Sequence, residues 1–419
     1  MSIVPSLKNL IKNLGPGLLF ASTAIGTSHL VLSTKAGAQY GWIMVIPILL
    51  ANILKYPFFE FGVRYTTITK KTLIEGYLYR GKAYLIFYAI ITLFSTFTIL
   101  AALYVVTSGL LINLFQLTNT PLSVVAGVLF VLICVLLIVG RYKLLEISLK
   151  YVIFILFSAL LVTTILVIAN GKVTEVAQFK TPIIFNEVGI LFLIGLMGWM
   201  PTAVEASSWI SLWSIEKFKN SAKKPTLKEA LQEFKFGYFT TAILAILFMI
   251  IGWFTLYGTN TELSSNAVVF ADQLVQLFTV NIGSWAYILI AIAAFATMFS
   301  TCITAHDALS RVSVDILSLL FPKSEAIKNK GYVTGVILLA IINFVVITMF
   351  SANMGLLVAL ATFVSFVMAP IIGYMNLKNV MGQEIPIIDR PNKGLRILTY
   401  TGIIFLTFFS IYYCWMLLF

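Results

Sequence analysis

Apolar residues in this chain come in long unbroken runs, not at the three- and four-residue spacing of a helix with one wet face. The stretches 83–114 and 151–169 are the clearest examples. Runs of 18 or more such residues read as helices that cross a bilayer. Eleven segments are predicted, at 15–38, 42–68, 83–113, 121–140, 146–169, 185–214, 236–258, 284–310, 331–351, 354–377 and 395–418. The connections are short, and the longest, 215–235 and 311–330, are Lys-rich and expected to be partly helical. A further stretch, 259–283, is expected to carry an amphipathic helix as surface decoration.

Composition agrees with the pattern. Of 419 residues, 60% are hydrophobic and 11% charged, against roughly a quarter charged in a soluble domain; a water-soluble globule is excluded. The net charge of +12 does not imply nucleic acid, because the basic residues lie between the apolar runs. Of 28 Lys and Arg, 24 fall in alternate connections and only Lys35, Lys172 and Lys180 in the others, with Lys55 inside the second segment. That asymmetry predicts a cytoplasmic N-terminus and an external C-terminus in the plasma (inner) membrane. The start of the chain has no cleavable signal pattern, so the first segment is expected to be retained. Cys134, Cys302 and Cys414 lie within apolar runs and are expected to be buried thiols.

Two segments are interrupted. The first, GPGLLFASTAIGTSHLVLSTKAGAQYG, has Gly26-Thr27-Ser28 at its centre, and the sixth, FLIGLMGWMPTAVEASSW, has Gly195, Gly198 and Pro201. They open two successive sets of five segments, and because five is odd the second set is inverted. Matching broken helices in inverted halves mark a midplane binding site, since unwound backbone is tolerated at that depth only where it lines a cavity. HEXXH, Gly-x-Ser-x-Gly and Walker sequences are absent. The expectation is a transporter, not an enzyme, with no cofactor.

AGAQYGW at 36–42, preceded by GPG at 15–17, resembles the opening of the NRAMP divalent-metal transporter family. Met200-Pro201, STCIT at 300–304 and the Ala369-Pro370…Gly382 pattern extend the resemblance over most of the chain. It implies an all-α membrane protein of about eleven transmembrane helices in a LeuT-like 5+5 inverted repeat, with helices one and six discontinuous. A single transport unit is expected, with repeats at about 15–169 and 185–377 and an extra helix at 395–418. It also implies that segments one and six rock against a scaffold of segments three, four, eight and nine. The family's Asp-Pro-Gly-Asn falls on Gly26-Thr27-Ser28-His29, and its Met-Pro-His-Asn on Met200-Pro201-Thr202-Ala203, with Ser207 at a second family histidine. The acidic pair of the family's proton route falls at about Ala101 and Tyr104, and no arginine lies in 332–350.

Expected substrate contacts are Ala24, Gly26, Thr27, Ser28, His29, Met197, Met200, Thr202 and Glu205. His29, Met200 and Glu205 offer an imidazole, a thioether and a carboxylate to a metal. Lys55, His306 and Asp307 are coupling or gating candidates. Lys55 either reaches toward the interface or supplies a fixed charge in place of a bound cation. Asp307 with Arg311, and Glu60 with Arg64, have the four-residue spacing of helical ion pairs. The leading expectation is alternating-access transport of Mn, Fe or Mg, with a co-transported proton possible. The alternative is a small anionic or zwitterionic solute, which suits the hydroxyls of Thr27, Ser28, Thr202, Ser207 and Ser208.

Overall fold

The computed structural model describes residues 15–418 except 118, 178, 221–223, 260 and 351–352. Lys8, Lys12 and Lys223 of the charge count lie outside the described residues. Among the described residues all regular structure is helical. The first span is α1 (Pro16–Ala24), a π-helical stretch Ser28–Ser33 and α2 (Thr34–Tyr40). The sixth is α7 (Glu187–Gly198) and α8 (Ala206–Asn220). Both predicted interruptions are therefore present.

The uninterrupted spans are α3 (Val45–Thr69), α5 (Lys82–Phe115), α9 (Leu227–Leu256), α11 (Tyr287–Leu320), α12 (Glu325–Phe350), α13 (Met354–Val380) and α14 (Lys393–Leu418). Segments four and five form one helical stretch, α6 (Leu122–Asn170). As a straight rod its 49 residues would measure about 74 Å, more than twice the hydrocarbon core. Yet Gly127 meets Phe344 of α12, while Leu156 and Leu160 share a cavity wall with Leu30 of the first span and Ile290 of α11. The stretch carries two apolar segments, Leu122–Gly140 and the shorter Phe154–Asn170, which match segments four and five. With those two, eleven crossings stand as expected.

Two helices do not span. α4 (Leu73–Arg80) begins at Thr72, whose hydroxyl accepts the Glu75 N–H at 3.0 Å. α10 (Ala267–Ile282) is the helix expected in 259–283, but it is not surface decoration. Phe270, Ala271, Leu274 and Val275 are buried. A side chain on Gly109 of α5 would strike the Ala267 carbonyl, so the two backbones touch. Cys302 is buried as expected; Cys134 is half-buried and Cys414 exposed, because the outer face of α14 has no helix beyond it.

The first span is held by backbone contact with α9. A Cβ on Gly37 would lie 1.9 Å from the Met249 carbonyl oxygen, and one on Gly252 would lie 2.2 Å from the Thr34 carbonyl oxygen. Small residues let transmembrane helices approach this closely, and packing replaces the missing hydrophobic drive. Gly37→Val is expected to force α2 off α9 and abolish a monodisperse peak in size-exclusion chromatography; a normal peak with unchanged Tm would contradict this contact.

Candidate functional site

The break in the sixth span leaves backbone oxygens without helical partners. Met197 and Gly198 are the last residues of α7, and the final carbonyls of any helix lack intrahelical donors. Lys55 of α3 fills that role. Its ammonium donates to Met197 O at 3.0 Å, Gly198 O at 2.8 Å and Thr202 O at 3.1 Å. The side chain is fully buried and does not reach toward the interface. Glu205 is also buried. Glu205 Oε1 accepts from Ser95 Oγ of α5 at 2.6 Å, and Oε2 has no hydrogen-bond partner.

The break in the first span is stitched to the second break by Ser28, whose Oγ lies 2.7 Å from Ala24 O, 3.2 Å from Pro201 O and 2.8 Å from His29 Nδ1. His29 Nε2 lies 2.9 Å from Thr241 O of α9. A carbonyl only accepts, so Nε2 carries hydrogen and both ring nitrogens are engaged with protein. His306 repeats the arrangement, with Nε2 donating to Val336 O at 2.9 Å and Nδ1 bonded to Tyr104 OH at 2.8 Å. Tyr104 is thus a hydrogen-bonded joint between α5 and α11. At Gly26 an added Cβ would lie 2.7 Å from Thr301 Cγ2, so the space a side chain would need belongs to α11.

Between the breaks lies a narrow cavity with about 20 Å³ open to water centres, room for one water. Of the expected contacts, Thr27, Ser28 and Thr202 line it; Ala24, Gly26, His29, Met197, Met200 and Glu205 do not. Its other walls are Thr23, Trp199, Ala203 and Trp209 with Ile99, Leu103 and Ala305. Two buried polar atoms of lining residues have no partner, Thr27 Oγ1 and Trp209 Nε1. The Trp199 indole is engaged, donating to Ser365 Oγ at 3.0 Å. Trp209 had no signal in the sequence, since a tryptophan in a membrane-spanning helix reads as packing. Among the described residues no group of three His, Cys, Asp or Glu is placed to hold a metal ion.

A larger vestibule of about 290 Å³ opens on the face away from the basic connections, between the first span, α7 and α13. Most of its lining is apolar, and Lys35 is the one charged residue among the residues that line it. Lys35 Nζ lies 5.8 Å from the Phe270 ring centre. Toward the basic face the chain is closed by a buried ionic knot. Asp307 accepts from Arg311 Nε at 2.9 Å, Trp213 Nε1 at 2.9 Å and Tyr332 OH at 2.6 Å. The Asp307–Arg311 spacing is thus realised as an ion pair, joining α8, α11 and α12. Glu60 and Arg64 pair at 2.5 Å on α3, and Arg64 also donates to Asp389 O at 2.5 Å.

Comparison with known proteins agrees with this architecture. The family described as natural resistance-associated macrophage protein-like (Nramp) matches residues 17–416. A Pasteurella multocida (strain Pm70) protein described as uncharacterized is 33% identical over 401 residues, covering 95% of this chain and 90% of its own. Among solved structures, the Eremococcus coleocola manganese transporter in complex with an aromatic bis-isothiourea compound has a TM-score of 0.64 at 14% identity. That match covers 98% of this chain and 87% of the transporter. MhsT in complex with L-phenylalanine is equally similar, with TM-score 0.64 at 14% identity over 95% of this chain and 97% of its own. Mhp1, a nucleobase-cation-symport-1 family transporter holding bromovinylhydantoin, has a TM-score of 0.63 at 16% identity over 96% and 92%. With two broken helices in inverted halves and a family match along nearly its whole length, the chain belongs to the Nramp family and is a transporter of the LeuT-type fold.

Proposed function

We propose that the chain carries a small solute with an anionic or zwitterionic headgroup, by alternating access, through the cavity between the two breaks. The observation that carries this reading is the pair of unpartnered groups in one cavity wall, Thr27 Oγ1 and Trp209 Nε1. An indole N–H only donates, so its partner is an acceptor oxygen, which a headgroup carboxylate supplies and a bare cation does not. Lys35 in the vestibule attracts the same charge. Gly26 offers no carboxylate, and the carbonyls of the sixth-span break already face an ammonium. Neighbours of equal likeness hold or are named for manganese, phenylalanine and a hydantoin, so the fold alone does not select the passenger. The N-terminus is cytoplasmic on this reading, and the vestibule faces outside.

A second reading, a divalent metal cation with a co-transported proton, is favoured by family membership and by the manganese transporters among its structural neighbours. One feature of the site supports it: three carbonyl oxygens make an oxygen-rich place that holds a positive charge. Full-length protein in proteoliposomes, offered Mn²⁺, Fe²⁺ and Mg²⁺ in one arm and labelled amino acids and small carboxylates in the other, separates the two. Uptake confined to the organic arm is the expected result. Saturable uptake of a divalent ion alone would overturn the first reading and establish the second.

A further inference from the structure

We infer that the break of the sixth span is a monovalent-cation site whose occupant is the chain's own Lys55. Three acceptors surround the nitrogen at 2.8–3.1 Å, from Met197, Gly198 and Thr202, and an ammonium has three N–H donors to match them. Two of the oxygens, Met197 O and Gly198 O, sit at the C-terminal end of α7, where the helix dipole is negative and the last carbonyls are otherwise orphaned. Charge-assisted bonds of this kind offset part of the cost of burying an ammonium.

A lysine in this position is a cation that never dissociates. The unwound carbonyls of the break keep their partner with or without a passenger, and no ion need be taken from solution to fill them. The consequence for coupling, a transport cycle that needs no sodium or potassium, rests on the carrier reading above. Occupation of the site by Lys55 does not rest on it.

The test uses purified full-length protein in detergent and needs no passenger. Thermal unfolding is followed in NaCl, KCl, methylammonium chloride or tetramethylammonium chloride, at one ionic strength kept with N-methylglucamine. The wild-type Tm is expected to be the same in all of them, because the place is taken. A rise confined to Na⁺ or K⁺ in the wild type would overturn the inference, and this arm needs no variant. Lys55→Ala is expected to lose roughly 5 °C, because three buried carbonyls lose their charged donor. Methylammonium should recover at least about half of that loss, saturably. Tetramethylammonium should recover none, since it has no N–H and is too wide. Lys55→Met should show the loss without rescue, its own chain filling the path to the carbonyls. A folded Lys55→Ala protein indifferent to methylammonium, or rescued equally by tetramethylammonium, would overturn the assignment. A proteoliposome panel that found no organic passenger would leave these measurements standing and count only against the carrier reading.

Discussion

Trp209→Phe will weaken uptake of the organic passenger roughly 10- to 100-fold while leaving the Tm nearly unchanged. The ring is buried against the cavity and phenylalanine keeps most of that packing; what disappears is one N–H that has no protein partner. A donor without a protein partner that bonds the passenger contributes about 1–3 kcal/mol to holding it, which is that range of fold-change. Thr27→Val deletes the second free group while keeping the branched shape, and should act in the same direction. The two side chains share one small cavity, so the double variant is expected to fall short of the product of the two single losses. Uptake kinetics on the solute picked out by the proteoliposome panel check this. Unchanged KM and kcat in both variants would mean that the passenger does not pass between these walls.

Asp307→Ala should lower the Tm by roughly 5 °C, a loss comparable to that expected for Lys55→Ala. The carboxylate is fully buried and serves three donors from three helices, Arg311, Trp213 and Tyr332. Removing it leaves a guanidinium without its main counter-charge and two other donors unmatched, which costs about 3–5 kcal/mol in comparable buried pairs. Glu216, 3.5 Å from Arg311, retains part of the pairing. Tyr332→Phe removes a single bond of the knot and should cost about 1 kcal/mol. Differential scanning fluorimetry of the three proteins distinguishes these cases. Equal Tm values for wild type and Asp307→Ala would remove the knot from any account of how the basic face is shut.

Much of the architecture was legible in the sequence because the bilayer imposes strict rules. Apolar runs must be near 20 residues, basic connections alternate, and breaks are tolerated only around a cavity. Those rules found eleven crossings and both interruptions. They could not show that 267–282 is packed against α5, because an amphipathic pattern does not say what its apolar side meets. At the site, Thr27, Ser28 and Thr202 were legible as small polar residues at a break, and all three line the cavity. His29 drew attention as a rare intramembrane imidazole, yet its ring is spent on Ser28 and on the Thr241 carbonyl of α9. The importance of Lys55 showed in its depth, but the three carbonyls that receive it lie 142 to 147 residues away and only folding brings them together. Trp209 carried no signal, because nothing in a sequence tells a packed indole from one whose N–H lacks a partner.

The fit of Gly26 against Thr301 bears on how readily this protein could be turned into an acid-lined one. Thr301 is no loose neighbour: its hydroxyl is fastened to Ser22 O at 2.8 Å and Thr297 O at 3.1 Å, which fixes the methyl that would meet a new Cβ at 2.7 Å. An aspartate written back at position 26 alone would enter an occupied volume, and its charge would arrive beside a helix with no place to receive it. The step is a ratchet: α11 must first give up its branched residue, after which the first span has room to change. Any engineered carboxylate at this break begins on the opposite helix.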